Sequence, residues 1–526
     1  MTAARVVMVL GTGSHAGKSV LAAALCRIYA RRGYRVAPFK AQNMSLNSFV
    51  TSEGGELGRA QAYQARAAGV EPHVDMNPVL LKPSSRAGSQ VVVLGRPVAH
   101  MSVSEYHAYQ PRVWPIVTAA LERLRASNDL VVIEGAGSPA EINLRDQDIV
   151  NMKVARHARC PVLLVGDVDR GGVFASLVGH MELFTPEERG HVAAFVINKF
   201  RGDAKLLDPG IEYLRQRTGV PTLGVVPMLE DWRGDDEDSL GIEDQRQRAK
   251  PDAPLQIAVV RLPFVSNFSD FDALADEPDV NVRYVTTADG LAGAAAIILP
   301  GTKSTIADLA WLRDSGLAVA VQAAAVAGTS VIGICGGYQM LGRRILDPQH
   351  VESECDGIDG LGLLDVATTF AGEKLTVRVE GELLAVDLTS AAGSAPAARD
   401  VDVSPLALLG PAGTPLRGYE IHMGRTCLGG GAAPLLRLRV ADGSEHDDGA
   451  VSLSGGAAVC GSYVHGLFDH PALRGAFLAR LRAGLGLPPR EGAAALRDDG
   501  VDRLADHVEA HLDAALLARI VGLDMR

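Results

Sequence analysis

Residues 11–19 have the composition of a loop that binds phosphate, and they lie between a run of β-branched residues and a stretch of helical character. The loop reads Gly11-Thr12-Gly13-Ser14-His15-Ala16-Gly17-Lys18-Ser19. Glycines let backbone N–H groups face an anion, the start of the next helix adds partial positive charge, and Lys18 adds a full one. Ser19 carries a hydroxyl where a nucleotide site needs a Mg²⁺ ligand. Five residues separate Gly11 from Gly17 where the usual pattern has four, so we predict a variant phosphate-binding loop.

Two polar residues that follow other predicted strands extend this phosphate site. Glu134 comes directly after the run 131–133, and ligands of open α/β sheets lie outside the carboxyl ends of the strands. We predict that Glu134 binds the metal ion together with Ser19, although a carboxylate at this place can also cap a strand. Asn198 follows the predicted strand 194–197, and its amide offers a paired donor and acceptor to a nucleotide base. An equally good interpretation is that Asn198 is an ordinary turn residue with no ligand.

A second kind of chemistry is indicated by Cys335. The run 331–334 predicts a buried strand, and Cys335 follows it directly, before Gly336 and a helical continuation. This arrangement presents a nucleophile on a sharp turn, and the helix dipole favours its thiolate. His465 ends another predicted strand, where it can act as the general base, and the N–H of Gly336 can help to bind an oxyanion. A cysteine that only fills space in the core is the alternative interpretation.

Two α/β units must position these residues. Short β-branched runs alternate with helical stretches at residues 6–10, 36–39, 130–133, 162–165 and 194–197, and again at 257–260, 296–299, 330–334 and 458–464. Such alternation predicts a doubly wound parallel sheet in the first unit and a second α/β domain after it. We assign residues 1–229 to the first domain, 230–254 to a charged linker, 255–485 to the second domain with an insertion at about 391–414, and 486–526 to a helical tail.

Composition excludes several classes of function. The 526 residues include 51 Lys and Arg against 62 Asp and Glu, and a net charge of -11 argues against a nucleic-acid partner. The six cysteines form no CxxC pair, which fits a reducing cytoplasm. Residues 315–342 carry no charged side chain and are long enough to span a membrane. Their alanines, glycines and polar residues instead predict a buried helix and strand, so we expect no membrane span.

The motifs of both halves resemble the cobyric acid synthase family, the glutamine-dependent amidotransferases of cobalamin biosynthesis, over almost the whole chain. In the first half the resemblance rests on residues 40–48, 75–83 and 134–152. The variant phosphate loop is similar to that of dethiobiotin synthetase, which explains its spacing. In the second half the resemblance rests on residues 299–304, 418–424 and the segments around Cys335 and His465. These segments look like the family's class I-type glutamine amidotransferase domain.

The resemblance implies the amidation of four peripheral carboxylates of adenosylcobyrinic acid a,c-diamide, with glutamine as the nitrogen source and ATP and Mg²⁺ as cofactors. It implies that Cys335 attacks the glutamine amide, that His465 moves the protons, and that Gly301 and Gly336 bind the oxyanion. Gln42 is expected near the phosphates as a third metal ligand. The candidates for contact with the corrinoid or with ammonia are Asn43, Lys82, Glu141, Asp146 and Asp148. A structural ion pair or a solvated surface is the alternative for each charged candidate.

One departure from the family pattern concerns the partner of His465. Glutaminases of this class commonly carry a Glu two positions after the catalytic His, where this chain has Leu467. Glu420 and Asp469 are candidates for the missing carboxylate, and a Cys-His dyad without a third residue is a further possibility. We expect the dyad, because a thiol at the start of a helix is already activated.

Three other functions stay open on the sequence alone. A cobyrinate a,c-diamide synthase would amidate two other carboxylates of the same ring. A non-catalytic P-loop switch would share the first domain, since a fold does not fix a function, but it has no need for Cys335 and His465. A free-standing glutaminase with a nucleotide-sensing domain would hydrolyse glutamine regardless of any corrinoid.

Overall fold

The computed structural model describes residues 3–85, 88–229, 249–385, 408–452, 457–490 and 500–524. Most of these residues belong to two α/β domains, so the predicted fold class is confirmed. Every strand that the sequence predicted is present, and the one predicted over 458–464 is split into two short strands. The predicted linker and insertion fall largely outside the described residues, as do residues 491–499 and 525–526 of the predicted tail.

Strands and helices alternate along most of the first domain. Its strands are β1 (Arg5–Gly11), β2 (Val36–Phe39), β3 (Gln42–Met44), β4 (Ser48–Val50), β5 (Glu56–Gly58), β6 (Val79–Ser85), β7 (Gly88–Val93), β8 (Arg96–Ser102), β9 (Leu130–Glu134), β10 (Val162–Asp167), β11 (Val192–Phe200) and β12 (Thr222–Pro227). Its helices are α1 (Lys18–Arg31), α2 (Arg59–Ala67), α3 (Val103–Ser127), α4 (Met152–Ala158), α5 (Val173–Leu183), α6 (Pro186–His191) and α7 (Asp208–Thr218).

Strand β1 lies inside a six-stranded parallel sheet with the order β12-β11-β10-β1-β9-β2. Alternate side chains of a strand point to opposite faces, and Met8 and Val9 accordingly belong to two separate hydrophobic cores. Helices therefore cover both faces of the sheet. Because β9 pairs with β1, with Glu134 opposite Val9, the carboxyl ends of these two strands bring Glu134 beside the phosphate loop.

The segment between β2 and α3 contains structure that the sequence did not predict. Strands β3, β6, β7 and β8 form a four-stranded sheet, and β4 pairs with β5 in a separate hairpin. Three of these six strands have only three residues each, which is too short for a periodic pattern to be recognised. This segment is the part of the first domain that faces the second domain.

A seven-stranded sheet forms the core of the second domain. The strands of this domain are β13 (Leu255–Val260), β14 (Val280–Val285), β15 (Ala296–Leu299), β16 (Ser330–Ile334), β17 (Arg344–Leu346), β18 (Gly357–Asp359), β19 (Val366–Leu383), β20 (Pro415–Leu428), β21 (Ala432–Ala433), β22 (Leu436–Val440), β23 (Glu445–Asp448), β24 (Ala450–Ser452), β25 (Val459–Ser462) and β26 (Val464–His465). Its helices are α8 (Asp272–Ala275), α9 (Thr305–Asp314), α10 (Leu317–Val326), α11 (Gly336–Leu341) and α12 (Pro471–Gly484).

The order of that sheet, β14-β13-β15-β16-β25-β24-β21, places β15, β16 and β25 side by side and parallel. Their carboxyl ends lead to Gly301, Cys335 and His465, so the sheet order brings these residues to one edge. A second sheet contains the long hairpin β19–β20. Tyr419 and Ile421 of this hairpin pack against Val50 of the first domain.

The uncharged stretch 315–342 forms helix α10, strand β16 and helix α11, as the sequence predicted. Leu317, Val321 and Ile334 of this stretch are fully buried in the core of the second domain. None of the helices in the described ranges is long and apolar enough to cross a membrane.

Residues 500–524 of the C-terminal tail pack against the first domain, although they follow the second domain in the sequence, whereas Leu487 and Arg490 at the start of the predicted tail contact the second domain. Residues 500–524 form helices α13 (Val501–Ala510) and α14 (Ala514–Val521). Leu504 and Val508 are buried in the core that also contains Leu25 of α1. Around this contact, Arg27 of α1 forms an ion pair with Asp502 at 2.7 Å. The tail therefore completes the helical layer that supports the phosphate loop.

Replacing Leu504 with alanine tests this role of the tail. We expect Leu504→Ala to lower the stability of the first domain by about 2–5 kcal/mol, because the side chain leaves a cavity against α1. Hydrogen–deuterium exchange should become faster in peptides from β1 and α1 and stay unchanged in peptides from β15 and β16. Arg519→Ala, at an exposed position of α14, is the control and should change neither set. Equal acceleration in both domains would contradict an attachment to the first domain alone.

Candidate active sites

The phosphate loop connects β1 to α1 and has the backbone conformation that its glycines predicted. Gly17, directly before α1, has a φ of +97°, in the left-handed region that favours glycine. A side chain at this position would collide with Asn198, whose Nδ2 lies 2.0 Å from the place of a Cβ. Lys18 Nζ donates to the carbonyl oxygens of Gly13 at 2.8 Å and Gly137 at 3.0 Å. Lys18 thus ties the phosphate loop to the loop that follows β9.

Glu134 is fully buried at the end of β9 and is surrounded by donors. Ser19 Oγ donates to Oε1 at 2.7 Å, Lys40 Nζ lies 3.0 Å from the same oxygen, and Gln64 Nε2 donates to Oε2 at 2.5 Å. Burial alone would raise the pKa of Glu134, but the charge of Lys40 and the hydrogen bonds from Gln64 and Ser19 lower it overall. The carboxylate is therefore charged at neutral pH.

Glu134 and the oxygen atoms around it are suitable ligands for a magnesium ion. The Ser19 hydroxyl, the Glu134 carboxylate and the Gln64 amide oxygen are hard oxygen ligands of the kind that Mg²⁺ prefers. Gln64 Oε1 is buried and has no hydrogen-bond partner among the residues that the structure describes. In that same part of the chain, no group of three or more His, Cys, Asp or Glu side chains is arranged to hold a metal. A metal ion here would therefore depend on these mixed ligands and on substrate phosphates.

The third predicted metal ligand, Gln42, contacts another side chain in the structure, and its role at the metal stays a prediction. The amide oxygen of Gln42 accepts a hydrogen bond from the hydroxyl of Tyr106, whereas it is Gln64 that contacts Glu134. Gln64 was missed because it lies within helix α2 and not at the end of a strand. Its neighbour one turn earlier, Gln61, is fully buried and accepts a hydrogen bond from Asn43 Nδ2 at 2.9 Å.

Two other residues of the first domain that the sequence predicted to bind ligands, Asn198 and Lys82, contact other parts of the protein. Asn198 Nδ2 donates to the carbonyl oxygen of Ala16 at 3.0 Å, so Asn198 supports the phosphate loop, and its contact with a base stays a prediction. Lys82 is buried against Glu56 and Ser48. Lys82 also lines a cavity beside Cys335, and its contact with a corrinoid carboxylate stays a prediction.

Glu141 and Asp146 are exposed on the loop after Gly137, and Asp148 is half-buried. Asp148 Oδ1 accepts from the backbone N–H groups of Val150 and Asn151 at 2.8 Å. Asn151 in turn bonds to the backbone of Ala136. Asp148 thus shapes this loop through Oδ1, and Glu141, Asp146 and Asp148 all stay candidates for substrate contact.

Cys335 lies on the sharp turn that its sequence predicted. Its φ of +50° is unusual for a residue other than glycine, and its backbone N–H donates to Ser462 of β25 at 2.8 Å. Helix α11 starts at the next residue, Gly336. The turn needs small residues, because a Cβ at Gly337 would lie 2.0 Å from the carbonyl oxygen of Leu299. Strained backbone of this kind is typical of catalytic nucleophiles.

His465 is fully buried, and it lies close enough to Cys335 for that residue to influence its pKa. Its Nδ1 lies 2.7 Å from Oδ2 of Asp270. The ring of Tyr419 stacks on the imidazole at a centroid distance of 5.4 Å and an angle of 19°. Burial alone would lower the pKa of His465, but the negative charges of Asp270 and Cys335 raise it to about 10. The imidazole of His465 is therefore protonated at neutral pH.

Asp270 therefore completes a Cys-His-Asp triad, and the expected Cys-His dyad is wrong. Asp270 lies in a short 3₁₀-helix (Phe268–Phe271) between β13 and α8 and is 1% exposed, and its Oδ1 also accepts from the N–H of Gly466. Glu420 instead contacts His446 Nε2 at 3.0 Å. The carboxylate lies 195 positions before the histidine, so the sequence around Leu467 carries no sign of it.

The loop that follows β15 lies against the triad. A Cβ added to Gly301 would lie 2.8 Å from Cε1 of His465, and one added to Gly336 would lie 3.1 Å from the backbone nitrogen of Thr302. The hydroxyl of Thr302 donates to the buried carboxylate of Asp308, which fixes the loop. Gly301 and Gly336 are thus close to the triad, as expected for an oxyanion site. Their role stays a prediction.

Known proteins resemble this chain over both domains. Residues 7–239 match the model of the CobQ/CobB/MinD/ParA nucleotide binding domain, and residues 256–473 match the CobB/CobQ-like glutamine amidotransferase domain. A cobyric acid synthase of Sorangium cellulosum is 55% identical over 526 residues, which are 99% of this chain and 99% of that protein. The chain belongs to the cobyric acid synthase family. Another relative from this family, in Pelotomaculum thermopropionicum, is 49% identical over 99% of this chain and 97% of its own length.

Membership in the cobyric acid synthase family favours an enzyme over the P-loop switch. The first family model includes MinD and ParA and leaves that alternative open by itself, but the full-length relatives extend over both domains. The chain is therefore a glutamine amidotransferase with an ATP-binding domain. Among solved structures, a glutamine amidotransferase covers 43% of this chain at 19% identity and a TM-score of 0.29, a likeness too small to carry an argument.

Replacing Asp270 with asparagine tests the triad. We expect Asp270→Asn to lower kcat for glutamine hydrolysis by roughly 10²–10⁴-fold, because the histidine loses its orienting carboxylate. Loss of the negative charge also lowers the pKa of His465, so the alkaline limb of the pH profile should move to lower pH. The measurement is glutamate release against pH.

Glu420→Gln is the matched control for Asp270→Asn, since it removes a buried carboxylate near the same strands. It should leave the alkaline limb in place. An equal shift in both variants would show that Asp270 has no specific role.

Replacing Glu134 with glutamine tests the magnesium site. We expect Glu134→Gln to weaken Mg²⁺-dependent ATP binding by at least tenfold, because the site loses its charged ligand and Lys40 loses its partner. Isothermal titration with ATP, with and without Mg²⁺, measures the difference. Glu141→Gln, an exposed carboxylate on the neighbouring loop, is the control. Unchanged Mg²⁺ dependence in Glu134→Gln would exclude Glu134 as a ligand.

Proposed function

We propose that the chain amidates four peripheral carboxylates of adenosylcobyrinic acid a,c-diamide and so forms adenosylcobyric acid, with ATP and Mg²⁺ in the first domain and glutamine in the second. The proposal is supported most directly by one observation. A phosphate site centred on Glu134 and a Cys-His-Asp triad occur in one chain whose full-length relatives, at 46–55% identity, are cobyric acid synthases.

The first domain activates the substrate carboxylate, whose oxygen is a poor leaving group. An amine does not displace oxygen from a carboxylate, so the substrate carboxylate must first be activated. Its oxygen attacks the γ-phosphorus of ATP, ADP leaves, and an acyl phosphate forms, from which ammonia then displaces inorganic phosphate. Lys18 and the N–H groups of the phosphate loop hold the phosphates in place. Ser19, Glu134 and Gln64 would hold Mg²⁺, which when bound neutralises charge on the phosphoryl group being transferred.

The second domain releases ammonia from glutamine. The Cys335 thiolate attacks the carbon of the side-chain amide, and the N–H groups of Gly301 and Gly336 stabilise the oxyanion. The imidazolium of His465 gives its proton to the leaving nitrogen, and ammonia departs. His465 then takes a proton from water, which attacks the thioester and releases glutamate. Asp270 holds His465 at Nδ1 throughout, so that Nε2 faces the reacting atoms.

The loop after Gly137 is our candidate for contact with the corrinoid ring. Ile142 and Leu144 are 60% and 47% exposed, which is unusual for large apolar side chains in one short loop. The loop begins next to Gly137, whose carbonyl oxygen binds Lys18. An apolar surface beside the phosphate site suits a large planar ring that presents one carboxylate at a time to ATP.

The test is mass spectrometry of cobyrinic acid a,c-diamide, in the adenosylated form, after incubation with Mg-ATP and either glutamine or ammonium. We expect the wild type to add four amides from either nitrogen source. Cys335→Ala should add them from ammonium only, because it lacks the nucleophile that releases ammonia from glutamine.

The other functions predict different products in the same experiment. A cobyrinate a,c-diamide synthase would act on cobyrinic acid and leave the a,c-diamide unchanged. An unchanged corrinoid accompanied by hydrolysis of ATP or glutamine alone would favour the switch or the free-standing glutaminase and overturn the proposal.

A further inference from the structure

A cavity of about 600 Å³ opens beside the triad. Cys335 and His465 form part of its wall, and so do Lys303 and Glu352. Glutamine must enter this cavity for its side-chain amide to reach Cys335. Glutamine also carries an α-ammonium and an α-carboxylate, and three carbon–carbon bonds of about 1.5 Å each separate its Cα from the carbon that is attacked. Groups that recognise these two substituents must therefore belong to the same cavity.

Lys303 lies on the loop after β15, two residues beyond Gly301 of the expected oxyanion site. Its backbone N–H donates to the carbonyl oxygen of Phe264 at 3.0 Å, which fixes the point from which the side chain starts. The ammonium is close enough to Cys335 for that residue to influence its pKa. One loop therefore brings both a backbone N–H and a positive charge to the place where glutamine reacts.

Among the described residues, the side chain of Lys303 forms no ion pair and donates no hydrogen bond. Lys374 and Lys82 of the same cavity wall differ in this respect. Lys374 Nζ lies 2.6 Å from Glu56 Oε2, and Lys82 Nζ contacts the other oxygen of that carboxylate. Burial and the positive charge of Lys82 lower the pKa of Lys303. An anion bound beside Lys303 would raise its pKa again and stabilise the ammonium.

Glu352 supplies a carboxylate to the cavity from a loop with a fixed backbone. The buried carboxylate of Asp347 accepts from the backbone N–H groups of Val351, Glu352 and Ser353 at 2.7, 2.9 and 2.9 Å. Glu352 Oε1 accepts from the N–H of Ile306, in the first turn of α9, at 2.8 Å. Burial nevertheless raises the pKa of Glu352 to about 7. A cation bound beside Glu352 would lower this pKa and stabilise the carboxylate.

Lys303 and Glu352 influence each other's pKa, so the two side chains lie near one another. No ion pair joins them directly in the part of the chain that the structure describes. The cavity wall thus presents one positive and one negative group, and each lacks the opposite charge that would stabilise it. A zwitterion placed between them would supply both charges at once.

We propose that Lys303 and Glu352 determine the specificity of the second domain for glutamine, with Lys303 binding the α-carboxylate and Glu352 binding the α-ammonium. The proposal rests on the glutaminase reaction of the proposed function. With both ends of the amino acid held, the side-chain amide reaches Cys335 in one orientation. A molecule that lacks either substituent leaves one charge of the wall without its partner, and the site therefore discriminates against it.

The test compares ammonia release from three amides. L-Glutamine has both α substituents, glutaramic acid lacks the ammonium, and 4-aminobutanamide lacks the carboxylate. We expect Lys303→Met to lower kcat/KM about 10–100-fold for glutamine and glutaramic acid, and by less than about threefold for 4-aminobutanamide, because the charged hydrogen bond to the carboxylate is lost. Glu352→Gln should lower kcat/KM for glutamine and 4-aminobutanamide by a similar factor and leave glutaramic acid almost unchanged.

The comparison of substrates within one variant is a control for folding, since a partly unfolded variant loses the same fraction of activity with all three amides. Lys303→Arg keeps the charge and should recover most of the activity with glutamine. Glu354→Gln is the matched control for Glu352→Gln, because Glu354 is exposed on the same loop and also lines the cavity. Lys374→Met removes a lysine that Glu56 already neutralises and should not distinguish the three amides.

An equal loss with all three amides in Lys303→Met would assign its charge to the thiol of Cys335 or to folding, and would overturn the role in substrate binding. An equal loss in Glu352→Gln would overturn the role of Glu352 in the same way. Calorimetric affinities for the three amides in a Cys335→Ala background should show the same selectivity, because this variant binds without turnover. A wild type that hydrolyses none of the amides overturns the glutaminase reaction, and the subsite with it. A corrinoid that stays unchanged while the selectivity pattern appears overturns only the proposed corrinoid substrate and supports the subsite.

Discussion

A buried carboxylate is stable in its charged form only where cations and hydrogen-bond donors surround it, and three such carboxylates organise this protein. Glu134 gathers Ser19, Lys40 and Gln64 from three different elements. Asp270 binds His465, and Glu56 binds lysines from both domains. Each carboxylate therefore joins segments that are distant in the sequence. Loss of any one of them would remove contacts that hold these distant segments together.

The segment 40–48 is where these networks meet. Lys40, at its start, contacts Glu134 in the phosphate site. At its other end, Asn47 accepts a hydrogen bond from Ser269, and the N–H of Ser48 donates to Asn267. Ser269 directly precedes Asp270 of the triad. A single extended stretch of nine residues thus connects the phosphate site to the residues beside Asp270 of the triad. It contains no helix, so an insertion or deletion within it would change the distance between the two sites.

The local sequence pattern was sufficient to predict the site residues that lie at the ends of strands. The phosphate loop, Glu134, Cys335 and His465 each follow a buried strand, so periodicity places them at the carboxyl edge of a sheet. Gln64 and Asp270 were missed because their partners are far away in the sequence, and no local signal distinguishes them from other polar residues. Nine residues, several of them apolar, separate Asp270 from the predicted strand 257–260, so its position did not mark it as a residue at a strand end. Strands β3 to β8 were missed because three of them have only three residues each and their pairing is set by tertiary contacts.

The packing of helices α13 and α14 on α1 has a consequence for the order of folding. Synthesis proceeds from the N-terminus, so residues 500–524 leave the ribosome only after the whole second domain has been made. Until then the apolar face of α1 that binds Leu504 and Val508 lacks its cover. The nucleotide-binding domain therefore reaches its final packing late, when the domain that supplies nitrogen is already present. A nascent chain that stalls between the two would expose this face to chaperones and proteases.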